Sequence, residues 1–183
     1  MGEIRFISPA ELAAADSVTV VDVRDRTDYR EVGHVPGAVS LPTDRFRDPT
    51  GFGPGMLPDP DAFREWLGDV GIEREDDVVA YDDDRGSNAA RLLLTLAAFG
   101  HEGDLYLLDG DYSVWERDHE VSTRDPDPDT TTYEGGDFET DLVADRETVE
   151  AAVQSETTIL DTRTEAEYEQ AHVPGAIQVS WGR

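Results

Sequence analysis

The residues best equipped for chemistry in this 183-residue chain occur twice. Asp22, Arg24, Tyr29 and His34, the last opening His34-Val35-Pro36-Gly37-Ala38, recur as Asp161, Arg163, Tyr168 and His172, the last opening His172-Val173-Pro174-Gly175-Ala176. The Asp and Tyr copies stand 139 positions apart and the His copies 138, so one residue distinguishes the two versions. Repetition at domain-sized spacing marks a duplicated unit rather than a solenoid array. An imidazole titrates near neutrality and could move protons. Placed before Val-Pro-Gly-Ala, however, each is predicted to make a hydrogen bond that fixes the turn feeding the next strand. Each Asp–Arg couple predicts a buried or half-buried ion pair at a strand end.

A third polar cluster is not repeated. Asp82-Asp83-Asp84-Arg85-Gly86-Ser87 links an apolar run, Val78 to Tyr81, to the most apolar helical stretch, Asn88 to Phe99. Its carboxylates could cap loop and helix N–H groups, or together hold a cation. Three adjacent acidic residues do not converge by adjacency alone, so Asp82 is predicted to cap and Arg85 to offset local negative charge. Neither a metal nor a cofactor is expected. The chain contains no cysteine, which excludes disulfides, thiolate metal sites and a thiol nucleophile.

The elements that must position these groups alternate. Helices are predicted from Ser8-Pro9 to about Ala15, as a turn over 27–31, from Asp59-Pro60 to Gly71, over 88–99 and over 112–117. Strands are predicted over 18–23, 38–41, 78–81 and 105–108. Residues 43–60, rich in Pro and Gly, read as a long irregular loop. The pattern predicts an α/β fold, a parallel sheet with helices on both faces and right-handed crossovers. The polar stretch from Asp118 onward reads as a linker. After it the pattern restarts, with helices over 145–153 and 164–171 and strands over 157–160 and 176–179. The expected organisation is a domain over 4–125, a linker over 126–141 and an incomplete second copy over 142–183.

Forty-two acidic residues face 15 basic ones, all of them Arg, for a formal net charge of −27. With 38% hydrophobic residues in periodic segments, that charge predicts an acidic surface over a folded core rather than disorder. Salt screens such self-repulsion, so a salt-rich, halophilic cytoplasm is expected, against a mesophilic acidic protein with a partner-binding face. Nucleic acid and anionic membranes are poor partners for this surface. No apolar run reaches spanning length and the N-terminus has no signal-like apolar segment, so a cytoplasmic protein is expected.

In order, the motifs are a strand ending Asp-x-Arg, an aromatic, His-x-Pro-Gly-Ala, a strand–loop–apolar helix ending Phe99-Gly100-His101, and Leu107-Leu108-Asp109-Gly110 followed by Trp115. This order resembles the rhodanese (sulfurtransferase) family, and more closely its tandem thiosulfate and 3-mercaptopyruvate sulfurtransferases, in which an inactive N-terminal domain precedes an active one. The resemblance implies a rhodanese-like parallel sheet. It also implies a loop after the central strand whose first residue, in active domains, is a Cys that carries a persulfide. Here Asp82 holds that place, and Asp82 to Ser87 form the implied anion-pocket loop. The equivalent position in the second copy falls near residue 220, beyond Arg183. The active half often carries an Arg before the aromatic, whereas Glu167 precedes Tyr168 here. In the intact enzyme the implied partner is a small sulfur-donor anion, thiosulfate or mercaptopyruvate. This chain is expected not to turn over alone, and the alternative is a non-catalytic binding or regulatory module. Self-association through the incomplete second domain is a further expectation.

Overall fold

The most continuous β run of the sequence becomes the centre of the fold. The structure is a computed structural model and describes residues 3–47, 57–136 and 140–180. Strands β1 (Ile4–Ile7), β2 (Thr19–Asp22), β3 (Val39–Ser40), β4 (Val78–Tyr81) and β5 (Leu105–Leu108) form one sheet in the order β1-β5-β4-β2-β3. Every pairing is parallel. Strand β4 is flanked on both sides and buried at all four positions, as an unbroken Val-Val-Ala-Tyr run requires of a strand covered on both faces. Val79 and Tyr81 pack with Val20, Leu12, Tyr112 and Trp115. The two-residue period turns Val78 and Ala80 to the opposite face.

Among the described residues, six helices accompany these strands: α1 (Pro9–Ala13), α2 (Arg26–Glu31), α3 (Thr43–Phe46), α4 (Pro60–Asp69), α5 (Ser87–Ala98) and α6 (Asp111–Asp118). Ser8 and Glu11 close a reciprocal capping box at the start of α1, with Pro9 at the first helical position. Asp59 caps α4 by accepting from the amides of Asp61 and Ala62. Helix α5 buries Ala89, Leu92, Leu93 and Leu96, an i, i+3, i+4, i+7 stripe that seats it on the sheet.

Three features of the first unit depart from the sequence reading. Strand β1 was not signalled, because it is an edge strand whose first three residues are exposed and whose support is the main-chain ladder to β5. Helix α3 lies at the start of the stretch read as loop, and burial of Phe46 draws it onto the core. Pro49, Pro54, Gly51, Gly53 and Gly55 of that stretch lie outside the described residues. Over 126–136 the polar segment runs along the first unit. There the Thr131 amide donates to the Gly68 carbonyl at 3.0 Å, the Gly136 amide donates to Phe99 at 3.2 Å, and Tyr133 is buried.

The chain divides into two compact units, the first through Glu139 and the second from Thr140. The second holds a 3₁₀ turn (Thr140–Leu142), α7 (Arg146–Val153), β6 (Leu160–Asp161), α8 (Glu165–Gln170) and β7 (Ile177–Gln178). Strand β6 is shorter and later than the predicted 157–160. Its parallel pairing Leu160↔Ile177 repeats Val21↔Val39 between β2 and β3. Burial does not repeat: Leu160, Ile177 and Val179 are 57%, 55% and 49% exposed, whereas the matching Val21, Val39 and Leu41 are 0%, 6% and 0%.

Candidate functional site

Strands β2 and β4 end side by side, Asp22 opposite Tyr81, and the chemistry-bearing groups gather beyond their C-terminal ends. Open parallel sheets place ligands at that edge. Asp22 is fully buried and takes four partners there. Arg24 donates from Nη2 to Oδ2 at 2.6 Å, from Nε to Oδ1 at 3.1 Å and from its backbone N to Oδ1 at 2.9 Å. The Tyr81 hydroxyl donates to Oδ2 at 2.6 Å and accepts from the Val35 amide at 3.1 Å. Arg24 also donates to the Gly33 carbonyl at 2.6 Å and lies 3.5 Å from the Tyr112 ring centroid, a cation–π contact. Burial by itself would lower the Arg24 pKa, but the hydrogen bond and charge of Asp22 outweigh it and hold the guanidinium above its ordinary range. Burial, then the Asp22 charge, pushes the Tyr81 hydroxyl upward, so it stays a donor.

His34 is fully buried and stacks on Tyr29 with ring centroids 3.8 Å apart. Its Nδ1 lies 2.9 Å from the Tyr29 carbonyl and its Nε2 lies 3.2 Å from that of Arg124. The Tyr29 hydroxyl donates to the Ala38 carbonyl at 2.7 Å, and burial pushes its pKa up to about 12. These contacts tie helix α2 to the turn entering β3.

The second unit rebuilds the same clasp. Arg163 donates from Nη2 to Asp161 Oδ2 at 2.6 Å, from Nε to Oδ1 at 3.0 Å and from its backbone N to Oδ1 at 3.1 Å, and to the Ala171 carbonyl at 2.8 Å. The hydrogen bond to Arg163 holds the Asp161 carboxyl below its ordinary range. His172 stacks on Tyr168 at 3.9 Å, and the Tyr168 hydroxyl reaches Ala176 at 2.7 Å. The one-residue difference falls between Tyr and His. Gly33 there adopts φ +105°, where an L side chain is disfavoured, while the shorter copy passes through Ala171 in extended backbone. Glu167, standing where an Arg was implied, closes a capping box with Thr164.

Asp82, directly after β4, is 1% exposed. Its Oδ1 accepts from the amides of Asp84 at 2.8 Å and Gly86 at 2.7 Å, and its Oδ2 accepts from Asn88 at 2.8 Å and Ala89 at 2.9 Å. The loop achieves this convergence by taking Arg85 and Gly86 through left-handed backbone, φ +55° and +80°. Of the remaining loop residues, Asp83, Asp84 and Arg85 are exposed, and Ser87 Oγ donates to Asp84 at 3.0 Å. Among the described residues no group of three His, Asp or Glu is arranged to hold a metal ion. The cradle stabilises one anion, and a side chain of the chain itself supplies it.

A parallel α/β domain whose loop after the central strand aims converging N–H groups at one point, against a helix N-terminus, belongs to the class built to hold an anion there. The chain is a member of the rhodanese-like domain family, whose model matches residues 8–118 and 145–183. It is 30% identical over 132 residues to a probable 3-mercaptopyruvate sulfurtransferase of Schizosaccharomyces pombe, covering 71% of this chain and 44% of that one. It is 31% identical over 198 aligned positions to a thiosulfate sulfurtransferase of Pseudomonas aeruginosa, covering 96% of this chain and 68% of that one. The crystal structure of the 3-mercaptopyruvate sulfotransferase SseA from Escherichia coli superposes with TM-score 0.82 at 25% identity, over 96% of this chain and 74% of that one. Tum1 of Saccharomyces cerevisiae shares the fold at TM-score 0.82 and 18% identity, over 100% of this chain and 71% of that one.

Tyr81, Tyr112 and Gly33 complete the site without having been singled out in the sequence. Tyr81 was legible only as the end of a strand. For Asp82→Ala, each converging amide that water does not rescue is expected to cost about 1–3 kcal/mol. The emptied cradle should then accept a solution anion. Thermal melts in sulfate against chloride, at matched ionic strength, should show sulfate raising the Tm of Asp82→Ala more than that of the parent. An equal response by both proteins would rule out an anion cradle beneath Asp82.

Proposed function

We propose that the first unit is the non-catalytic rhodanese-like domain of a thiosulfate or 3-mercaptopyruvate sulfurtransferase, whose sulfur chemistry is carried by a cysteine outside these 183 residues. The observation that supports this reading is the Asp82 carboxylate, seated on four backbone amides where the resemblance implies a persulfide-bearing thiol. In the parent reaction a cysteine thiolate attacks the sulfane sulfur of the donor anion. With thiosulfate as donor, sulfite leaves. The persulfide then passes its outer sulfur to a thiophilic acceptor such as cyanide, regenerating the thiolate and giving thiocyanate. A carboxylate cannot hold that sulfur, so the present chain is inert by this route. Incubation with thiosulfate and cyanide should yield no thiocyanate above a heat-treated blank, and turnover would overturn the assignment.

The same reading extends to surroundings and partners. The charge of −27 and the absence of Lys suit a salt-rich cytoplasm, where ions screen repulsion among the carboxylates. The Tm is expected to climb as potassium chloride rises from tens of millimolar into the molar range, and a Tm that falls throughout that range would count against a high-salt origin. Exposed Leu160, Ile177 and Val179 support self-association through the second unit. Sedimentation velocity should show concentration-dependent dimers that Leu160→Glu weakens. Purely monomeric behaviour up to high concentration would remove this proposal.

A further inference from the structure

Residues 126–136 form a strap near the end of the first unit, and much of their polar composition suggests a free segment. Several contacts nevertheless seat them. Thr131 donates its amide to Gly68 and its hydroxyl to Glu73 Oε1 at 3.0 Å. The seat is made by missing side chains. A Cβ on Gly68 would run into the Thr131 carbonyl oxygen, and one on Gly71 would lie 2.8 Å from that of Asp129. Tyr133 is the anchor at 3% exposure, and its hydroxyl lies 3.0 Å from Nδ1 of His101, itself 2% exposed.

The protonation state of His101 decides the sense of that bond. Its Nε2 lies 2.7 Å from the Asp76 carbonyl, which can only accept, so Nε2 carries the hydrogen. In the neutral ring Nδ1 is therefore an acceptor, and Tyr133 donates to it. A second proton on the ring reverses the bond: Nδ1 must donate, and the hydroxyl hydrogen of the buried Tyr133 loses its acceptor. Burial lowers the His101 pKa, although the Asp76 carbonyl and the carboxylates of Asp76, Glu75 and Asp77 partly offset it. Arg74, Arg64 and Glu75 act on the Tyr133 side, and Arg74 is paired with Glu102 at 3.0 Å.

We propose that His101 and Tyr133 form a proton-released latch, docking residues 126–136 on the first unit near neutral pH and freeing them in mild acid. A group whose pKa is depressed in the docked state stabilises docking above its ordinary value, near 6.5, and loses that contribution as the pH falls. The chain up to Arg124 stays fastened, because His34 and Ser122 exchange backbone hydrogen bonds at 2.8 and 2.9 Å. Release therefore turns residues 126–136 into a flexible span with an r.m.s. length of about 18 Å.

Hydrogen exchange on the full chain, read by mass spectrometry and corrected for intrinsic rates, tests the latch. Between about pH 7.5 and about pH 5, the peptide covering 128–136 should lose protection about tenfold while peptides of α5 keep theirs. His101→Gln retains a donor toward Asp76 but cannot titrate, and its strap protection should not change over that range. Gly68→Ala should give the exchange of a released strap at both pH values. Unchanged strap protection in the parent, simultaneous loss in α5, or the same pH dependence in His101→Gln would each overturn the proposal. The parent measurement alone decides the question if a variant does not fold.

Discussion

The buried charge pair of Asp22 and Arg24 is the constraint around which the first unit is arranged. Two ions this deep are stabilising only when every lone pair and donor is met, since removing one partner from a buried pair costs about 3–5 kcal/mol. The surrounding chain answers that demand from three elements. Tyr81 supplies a hydroxyl from β4, the 33–35 turn supplies a carbonyl for Arg24 and an amide for the Tyr81 oxygen, and Tyr112 at the start of α6 supplies a ring face. The pair thus sets the relative positions of β2, β4, the turn before β3 and α6. The Asp82 loop inherits its place from the same network, since Tyr81 precedes it and the Tyr112 amide donates to its carbonyl at 2.8 Å.

The second unit serves as an internal control on what is local and what is not. Its Asp161–Arg163 pair, Tyr168–His172 stack and Tyr168–Ala176 bond match their first-unit counterparts closely in distance. Yet the Arg163 side chain is 46% exposed, where that of Arg24 is 2%. The geometry of the clasp is therefore a property of the short phrase itself, written in contacts within nine residues. Its burial, and with it most of its energetic weight, comes from β4 and α6. Exposed ion pairs contribute little because water already solvates both partners.

That division also explains what could be read from the residues. Strands β4 and β5 were legible to the residue because β-branched and leucine-rich runs end abruptly at Asp82 and Asp109. The Asp82 loop was legible because an apolar strand and an apolar helix bracket six polar residues. Strand β1 was not, since Phe6 is 72% exposed and the ladder that holds the strand is main chain. The Tyr81 hydroxyl was equally hidden, for its acceptor Asp22 lies 59 residues away. The seat of the strap was hidden for another reason: it is built from glycines and backbone carbonyls, which carry no compositional signal toward a partner.

The four amides around Asp82 have one further consequence, in mass action. A cradle that borrows its counter-ion from solution gains stability as RT ln(1 + [L]/Kd), and so depends on which anions are present and how concentrated they are. Asp82 fixes the occupant covalently at the head of the loop. The domain behaves as though permanently saturated, and its fold is uncoupled from the supply of the anions that the cradle's shape is suited to hold.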